Sequence, residues 1–454
     1  MASTPLVSSS VFFIITTILT IASTATIKMS LSPLPHRPSS DRHQILNNLA
    51  TSSIAKTHRH KHHLDTKINT SSSVLKASIL YSDYFGGYTI SLGFGTPPQT
   101  LSFYIDMGSS LTWFPCCSDC QRTRFPTFNP KLSSSTKYLR CQDPKCSWLF
   151  GPDIASVCQQ QDNCPKYSFE YDGSYNTNEL LLLEENLVFP HKTFHDFLIG
   201  CSSKKPNFGF PTGVAGFGRG PESFPSQLGL TKFSYCLTSR QPLDNPNTNS
   251  TMWFETGSDS GDTKTPGLSY TSLYKNQIAS KPHLQEFYYV KLRNIFVGNT
   301  RIKIPYRFLV PATDDKFGGT IVDLSASYTF MERTLFKLVT EEFEKQMGNY
   351  SRAVDYITWF NPCFYISPVD YKRINVPELI FQFEGGAKMK LPMANYFSFV
   401  EDDIACVIIY TDINGLLPVN SGPAIMLGNL QQQNYYIEFD LANNRLGFAK
   451  QICV

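Results

Sequence analysis

The sequence predicts an all-β fold with minor helices, built from two related lobes that each contribute one carboxylate. Three observations point there. First, "FYIDMGSSLTW" (103–113) and "TIVDLSASYTF" (320–330) share one outline. Aligning Asp106 with Asp323 also aligns Ile105 with Val322, Ser110 with Ser327, Thr112 with Thr329 and Trp113 with Phe330. Second, "GVAGFGRG" (213–220) and "AIMLGN" (424–429) each close an apolar pair with glycine. Gly216 follows Asp106 by 110 residues and Gly428 follows Asp323 by 105, so two landmarks recur in the same order. Third, from Tyr81 onward short β-type runs broken by Gly, Pro, Asn and Ser dominate the chain.

The 454 residues, 41% of them hydrophobic, exceed one ordinary domain and can bury a large core. Residues 1–26 read as a signal peptide: "VFFIITTILTIA" (11–22) is too short to span a bilayer and precedes the small residues "STAT". Residues 27–77 read as a basic, Ser- and His-rich pro-segment with little order. It contains "HRHKHH" (58–63), for which metal binding is the weaker reading. Residues 78–240 form the first lobe around Asp106, 241–285 the connection and the start of the second lobe, and 286–454 the second lobe around Asp323. Within them "YTISLGFGTPPQTLSFYID" and "FYYVKLRNIFVGNTRIKI" read as hairpins, and "MERTLFKLVTEEFEKQM" (331–347) is the clearest helix, with Leu335, Leu338, Val339 and Phe343 on one side.

The net charge gives no argument for a nucleic-acid role, and no nucleic-acid partner is expected. The first 76 residues carry 8 Lys and Arg against 2 acidic residues, so the overall +3 masks a slightly acidic body. The body holds twelve cysteines: Cys116, Cys117, Cys120, Cys141, Cys146, Cys158, Cys164, Cys201, Cys236, Cys363, Cys406 and Cys453. Behind a signal peptide these read as up to six disulfides rather than a zinc site, with pairing open. Asn69, Asn249 and Asn349 begin glycosylation sequons. A secreted monomer is expected, extracellular or in the cell wall with the vacuole as the alternative, without stable membrane association.

Nucleophilic triads find no support, because only His191, His195 and His283 lie in the body and no G-x-S-x-G elbow occurs. No metal-ligand spacing is found. The carboxylate pair remains. A lone Asp after a strand is most often a local turn cap. Two in duplicated settings would instead meet across a pseudo-twofold axis, where one stays protonated as acid while the other activates water.

The motifs "LGFGTPPQ", "FYIDMGSSLTWFPC", "YDGSYNT", "GVAGFGRGPESFPSQL", "KFSYCL", "GGTIVD" and "LGNLQQQNYYIEFDLANNRLGFA", spread over about 85–453, resemble the pepsin-like aspartic proteases. The likeness is to the plant, cysteine-rich branch related to nepenthesins. It implies a bilobal double β-barrel with the active-site cleft between the lobes, a peptide or protein substrate, and no cofactor. By this resemblance Asp106 and Asp323 are the catalytic pair, Ser109 supports the first carboxylate, Tyr171 is the flap tyrosine, and Trp113 is the aromatic beside the flap.

The loops depart from the family's Asp-Thr-Gly or Asp-Ser-Gly. They read Asp106-Met107-Gly108 and Asp323-Leu324-Ser325. Met107 and Leu324 lack the hydroxyls that bond across the axis. Ser325 puts a Cβ where the family has glycine, which predicts a strained or displaced loop. Ala326 replaces the hydroxyl that supports the second carboxylate, leaving Ser325 and Ser327 as substitutes, and the flap reads "YDGS", one residue short. The expectation is a secreted aspartic endopeptidase weakened by these changes. The alternative is an inactive protein of the same fold that binds a peptide, protein or inhibitor.

Overall fold

In a computed structural model, the described residues are 25–33, 87–117, 126–151, 154–159, 161–170, 177–202, 213–239, 250–256, 263–278, 282–312, 316–354, 360–371, 373–412 and 422–453. Their strands form one sheet of 19, one of four and one of three, with few helices. The fold is the pepsin-like all-β class expected.

Six antiparallel strands make a platform drawing on both halves of the sequence. In spatial order they are Ala25–Pro33, Ser250–Thr256, Leu230–Cys236, Tyr435–Asp440, Arg445–Lys450 and Ser269–Tyr274. The strand Tyr435–Asp440 buries Tyr435, Ile437 and Phe439 on one face and Glu438 and Asp440 on the other, and Phe439 stacks on Phe233 at 4.6 Å. The disulfide Cys236–Cys453 ties this platform to the C-terminus. The strand Ala25–Pro33 is a correction to the expected disorder of 27–77, since residues 27–33 pair with Trp253–Phe254 and their neighbours and with Tyr88–Thr89. Alternating Thr26-Ile27-Lys28-Met29-Ser30-Leu31 has the period of a strand, which a reading by composition overlooked. Residues 1–24 and 34–86 lie outside the described residues.

Each half repeats one motif on that platform. In the first, Tyr88–Phe94 and Gln99–Asp106 form the expected hairpin, and Phe103–Asp106 then runs parallel to Gly213–Gly216. In the second, Thr320–Val322 runs parallel to Ile425–Leu427. The expected second hairpin also forms, Leu292–Val297 turning at Gly298 (φ +56°) into Thr300–Arg301. The helix Arg333–Gln346 buries Leu335, Val339 and Phe343 and is capped by the Glu332 carboxylate, which accepts from Thr334 and Leu335 N–H.

Five bridges are formed within the described residues: Cys116–Cys201, Cys141–Cys158, Cys146–Cys164, Cys236–Cys453 and Cys363–Cys406. Cys117 is also bridged, while Cys120 lies outside the described residues. The described cysteines thus serve as disulfides. Among the described residues no group of three metal-ligating side chains occurs, and no helix is long and apolar enough to cross a membrane. Asn349 is exposed in the turn after Arg333–Gln346, whereas Asn69 and Asn249 lie outside the described residues.

Candidate active site

The two loops are built alike from the backbone upward. Where Gln99–Asp106 ends, the chain bends and Gly216 packs on it so closely that a Cβ there would lie 2.1 Å from the Ser110 carbonyl oxygen. At the matching point a Cβ on Gly428 would lie 2.4 Å from the Tyr328 carbonyl carbon. Only glycine fits at either place. Each glycine N–H then donates to a threonine of the opposing loop, Gly216 to Thr112 Oγ1 and Gly428 to Thr329 Oγ1, both at 3.1 Å. Thr112 and Thr329 are the pair that the sequence duplication aligned.

These frames hold both aspartates buried, Asp106 at 0% and Asp323 at 1% exposure. Gly108 N–H donates to Asp106 Oδ1 (3.0 Å) and Ser109 Oγ donates to Oδ2 (2.7 Å), as the resemblance implied for Ser109. Ser325 N–H donates to Asp323 Oδ1 (2.7 Å), and the Ser325 hydroxyl donates to the same oxygen. That hydroxyl also stands 3.5 Å from Asp106 Oδ1, so one side chain touches a carboxylate from each half. Asp106 and Asp323 are therefore brought together, with Gly108, Ser109 and Ser325 around them.

Two expectations about the loops are corrected. Met107 does bond across the axis, because its sulfur accepts Leu324 N–H at 3.3 Å, a thioether being a weak but real acceptor. Ser325 does not strain its backbone. Among the described non-glycine residues positive φ falls on Asp196, Asn434 and Asn444. Its Cβ is accommodated, and its hydroxyl takes the supporting role that Ala326 lost. Ser327 is buried beside the loop, its carbonyl accepting Leu430 N–H at 3.0 Å.

Trp113 stands in the strand Trp113–Pro115, buried among Leu111, Leu139, Leu180 and Val214. Tyr171 lies outside the described residues. Sequence reasoning overlooked two residues that brace the pair. Tyr104 Oη donates to the Ser325 carbonyl (2.6 Å), joining the first half to the second loop. It sits two residues before Asp106 in a strand, on the same face, a signal that period two carries. Gln432 Nε2 donates to the carbonyls of Asp323 (3.2 Å) and Leu427 (2.9 Å).

Comparison with known proteins agrees with this architecture. Residues 88–258 match the family described as xylanase inhibitor N-terminal, and residues 287–450 match xylanase inhibitor C-terminal. The chain is 29% identical to aspartic proteinase nepenthesin-1 of Nepenthes gracilis, over 88% of this chain and 85% of that one. It is 30% identical to aspartyl protease family protein 2 of Arabidopsis thaliana, over 81% and 71%. The solved structure of conglutin gamma, a basic 7S globulin from lupine seeds, aligns with TM-score 0.58 at 19% identity, over 81% of this chain and 92% of that one.

Proposed function

Since this chain belongs to the pepsin-like aspartyl proteases of plants, we propose that it is a secreted, monomeric acid endopeptidase whose turnover is restrained by Ser325. The observation that carries the reading is the meeting of Asp106 and Asp323, buried in matching loops, with one hydroxyl in reach of both. Two carboxyls so placed do not both ionise readily. One, ionised, takes a proton from water as it attacks the scissile carbonyl. The other, protonated, supplies a proton toward the carbonyl oxygen, so that a tetrahedral intermediate forms without a covalent enzyme adduct. The chemistry needs no cofactor. The apolar run 11–22 and the disulfides support export.

A general base must lie within hydrogen-bond reach of the water it activates. One place from which a single water could reach both Oδ1 atoms is the place that Ser325 Oγ takes. Hydrolysis by a water at that place requires the serine side chain to turn aside. This same observation favours the second reading, a protein that holds a polypeptide in its cleft without cutting it. The test is hydrolysis of a denatured protein by the purified protein from about pH 3 to 6, where carboxyl pairs titrate. Slow cleavage that is abolished by Asp106→Asn supports the endopeptidase. A folded, disulfide-intact sample that cuts nothing refutes it and leaves the binding reading.

A further inference from the structure

Behind the aspartate pair lies a second pair of carboxyl groups that the proposed chemistry does not use. Glu286 opens the second lobe, at the end of the short turn Pro282–Glu286. Glu222 belongs to the glycine-rich loop after Gly213–Gly216, in the first lobe. Ser110, directly after the supporting Ser109, stands between them. Its hydroxyl donates to Glu286 Oε2 and accepts Gly220 N–H at 2.9 Å. The packing is tight enough to count atoms around a point. A Cβ on Gly220 would meet Glu222 Oε2 at 2.6 Å, Ser110 Oγ at 2.7 Å and Glu222 Oε1 at 2.8 Å. A Cβ on Gly218 would meet Ser110 Oγ at 2.6 Å and Glu286 Oε2 at 2.8 Å. Both carboxyls thus crowd one serine hydroxyl. Glu222 is 7% exposed, and its Oε2 has no hydrogen-bond partner.

We infer that Glu222 and Glu286 form a protonated latch across the two lobes, which holds Ser110 and with it the Asp106 loop in acid and loosens toward neutral pH. A buried carboxyl with one oxygen left unpartnered is cheaper neutral than charged. The Ser110 hydroxyl on Glu286 and a backbone N–H on Glu222 favour the charged forms but are outweighed by desolvation, and the titratable groups that face the pair add negative charge or little relief. Asp106 lies on one side, and the half-buried Tyr167 is itself held neutral by burial and by both glutamates. Lys275 is the cation that favours ionised Glu286, and it is exposed. Arg219 turns away, its guanidinium donating to the Tyr274 carbonyl and Asn444 and lying 5.6 Å over Tyr288, which burial also keeps neutral. Its backbone N–H donates to the Glu286 carbonyl instead (3.1 Å). Desolvation accordingly pushes Glu222 up to about 7 and Glu286 up to about 8, the latter also raised by Glu222 and Asp106.

The sign follows. The folded chain keeps protons on these groups that the unfolded chain, with ordinary carboxyls near 4.5, gives up. Stability is then fully present below about pH 4.5 and falls as pH rises to 7 and beyond. For Glu222 alone that is about 2.5 pH units at tenfold each, roughly a 300-fold rise in the unfolding constant. Ionisation there drives Glu286 away from Ser110 and frees the Gly220 N–H.

The experiment compares denaturant unfolding at about pH 5 and pH 8 for the wild type, Glu222→Gln and Glu286→Gln, with the infrared carbonyl band of protonated carboxyls followed over the same range. The inference holds for a cutting or a non-cutting cleft, since neither readout uses turnover. Expected is a wild-type loss of stability by at least about two orders of magnitude in the unfolding constant, reduced at least tenfold in each variant. A protonated-carboxyl band should persist at about pH 6 and vanish by pH 9. A wild-type stability that does not fall with pH overturns the latch, as do variants that fall as steeply as the wild type. Should the variants fail to fold, absence of that band from the wild type at pH 6 overturns it alone.

Discussion

Replacing Ser325 by glycine is the sharpest perturbation of the aspartate pair. The hydroxyl bonds Asp323 Oδ1 and stands 3.5 Å from Asp106 Oδ1. Its removal takes away that bond to Asp323 but leaves the N–H at position 325, whose 2.7 Å bond to the same oxygen comes from the backbone. It also clears the point from which a water reaches both carboxylates. General acid–base catalysis contributes about 10²- to 10⁴-fold when the groups are placed for it. If the serine denies that placement for most of the time, Ser325→Gly should raise kcat/KM on a denatured protein by about 10² or more, with the gain in kcat. The opposing term is small, because Ser325 lacks positive φ and glycine merely loosens the loop, at about 0.5–1 kcal/mol. The assay is a discontinuous digest at acid pH, with Asp323→Asn in the same background as control. A variant no faster than the wild type, yet still folded at the assay pH, would refute the claim that Ser325 holds the water's place.

Three further outcomes follow. Met107→Ala should weaken the bond between the loops by removing the sulfur that accepts Leu324 N–H and opening a cavity, a loss of about 2–5 kcal/mol in denaturant unfolding. Replacing Cys236 and Cys453 together by serine frees a loop of 217 residues and should cost about 5 kcal/mol by chain entropy, read as a lower denaturation midpoint. Arg445→Ala removes the cation paired with Asp440, which is 0% exposed and bonded to Arg445 Nε at 2.7 Å, leaves it only the Asn443 donors, and should cost about 3 kcal/mol in the same measurement.

The duplication was legible because its carriers are geometric necessities. Gly216 and Gly428 sit where any Cβ collides, and Thr112 and Thr329 are the acceptors that close the same turn twice. Such positions leave a mark in one sequence. The hairpin Tyr88–Asp106 and the helix Arg333–Gln346 were legible from period alone. What escaped lies in contacts between distant segments. Nothing local announces that Met107 sulfur faces Leu324 N–H, 217 residues on, or that Glu286 meets Ser110 across 176. The strand Ala25–Pro33 escaped for another reason. It belongs to a segment whose composition argues for disorder, and its partner Ser250–Thr256 supplies the order.

The departures from the family's loops are not equivalent, and their physics separates assembly from turnover. Burying two adjacent carboxyls is costly unless hydrogen bonds satisfy them. Here Asp106 receives Gly108 N–H and Ser109 Oγ, while Asp323 receives the N–H and the hydroxyl of Ser325. Met107 restores a bond between the loops that the missing hydroxyls would have made. Every one of these contacts steadies the pair in the resting protein, and one of them, the Ser325 hydroxyl, also occupies a place from which a water would reach both carboxylates. A pair satisfied from within has less to gain from holding a water or a transition state, because catalysis comes only from interactions stronger there than at rest. The same residue that makes the pair stable is therefore the one that slows it, which is why a single substitution at position 325 tests the whole reading.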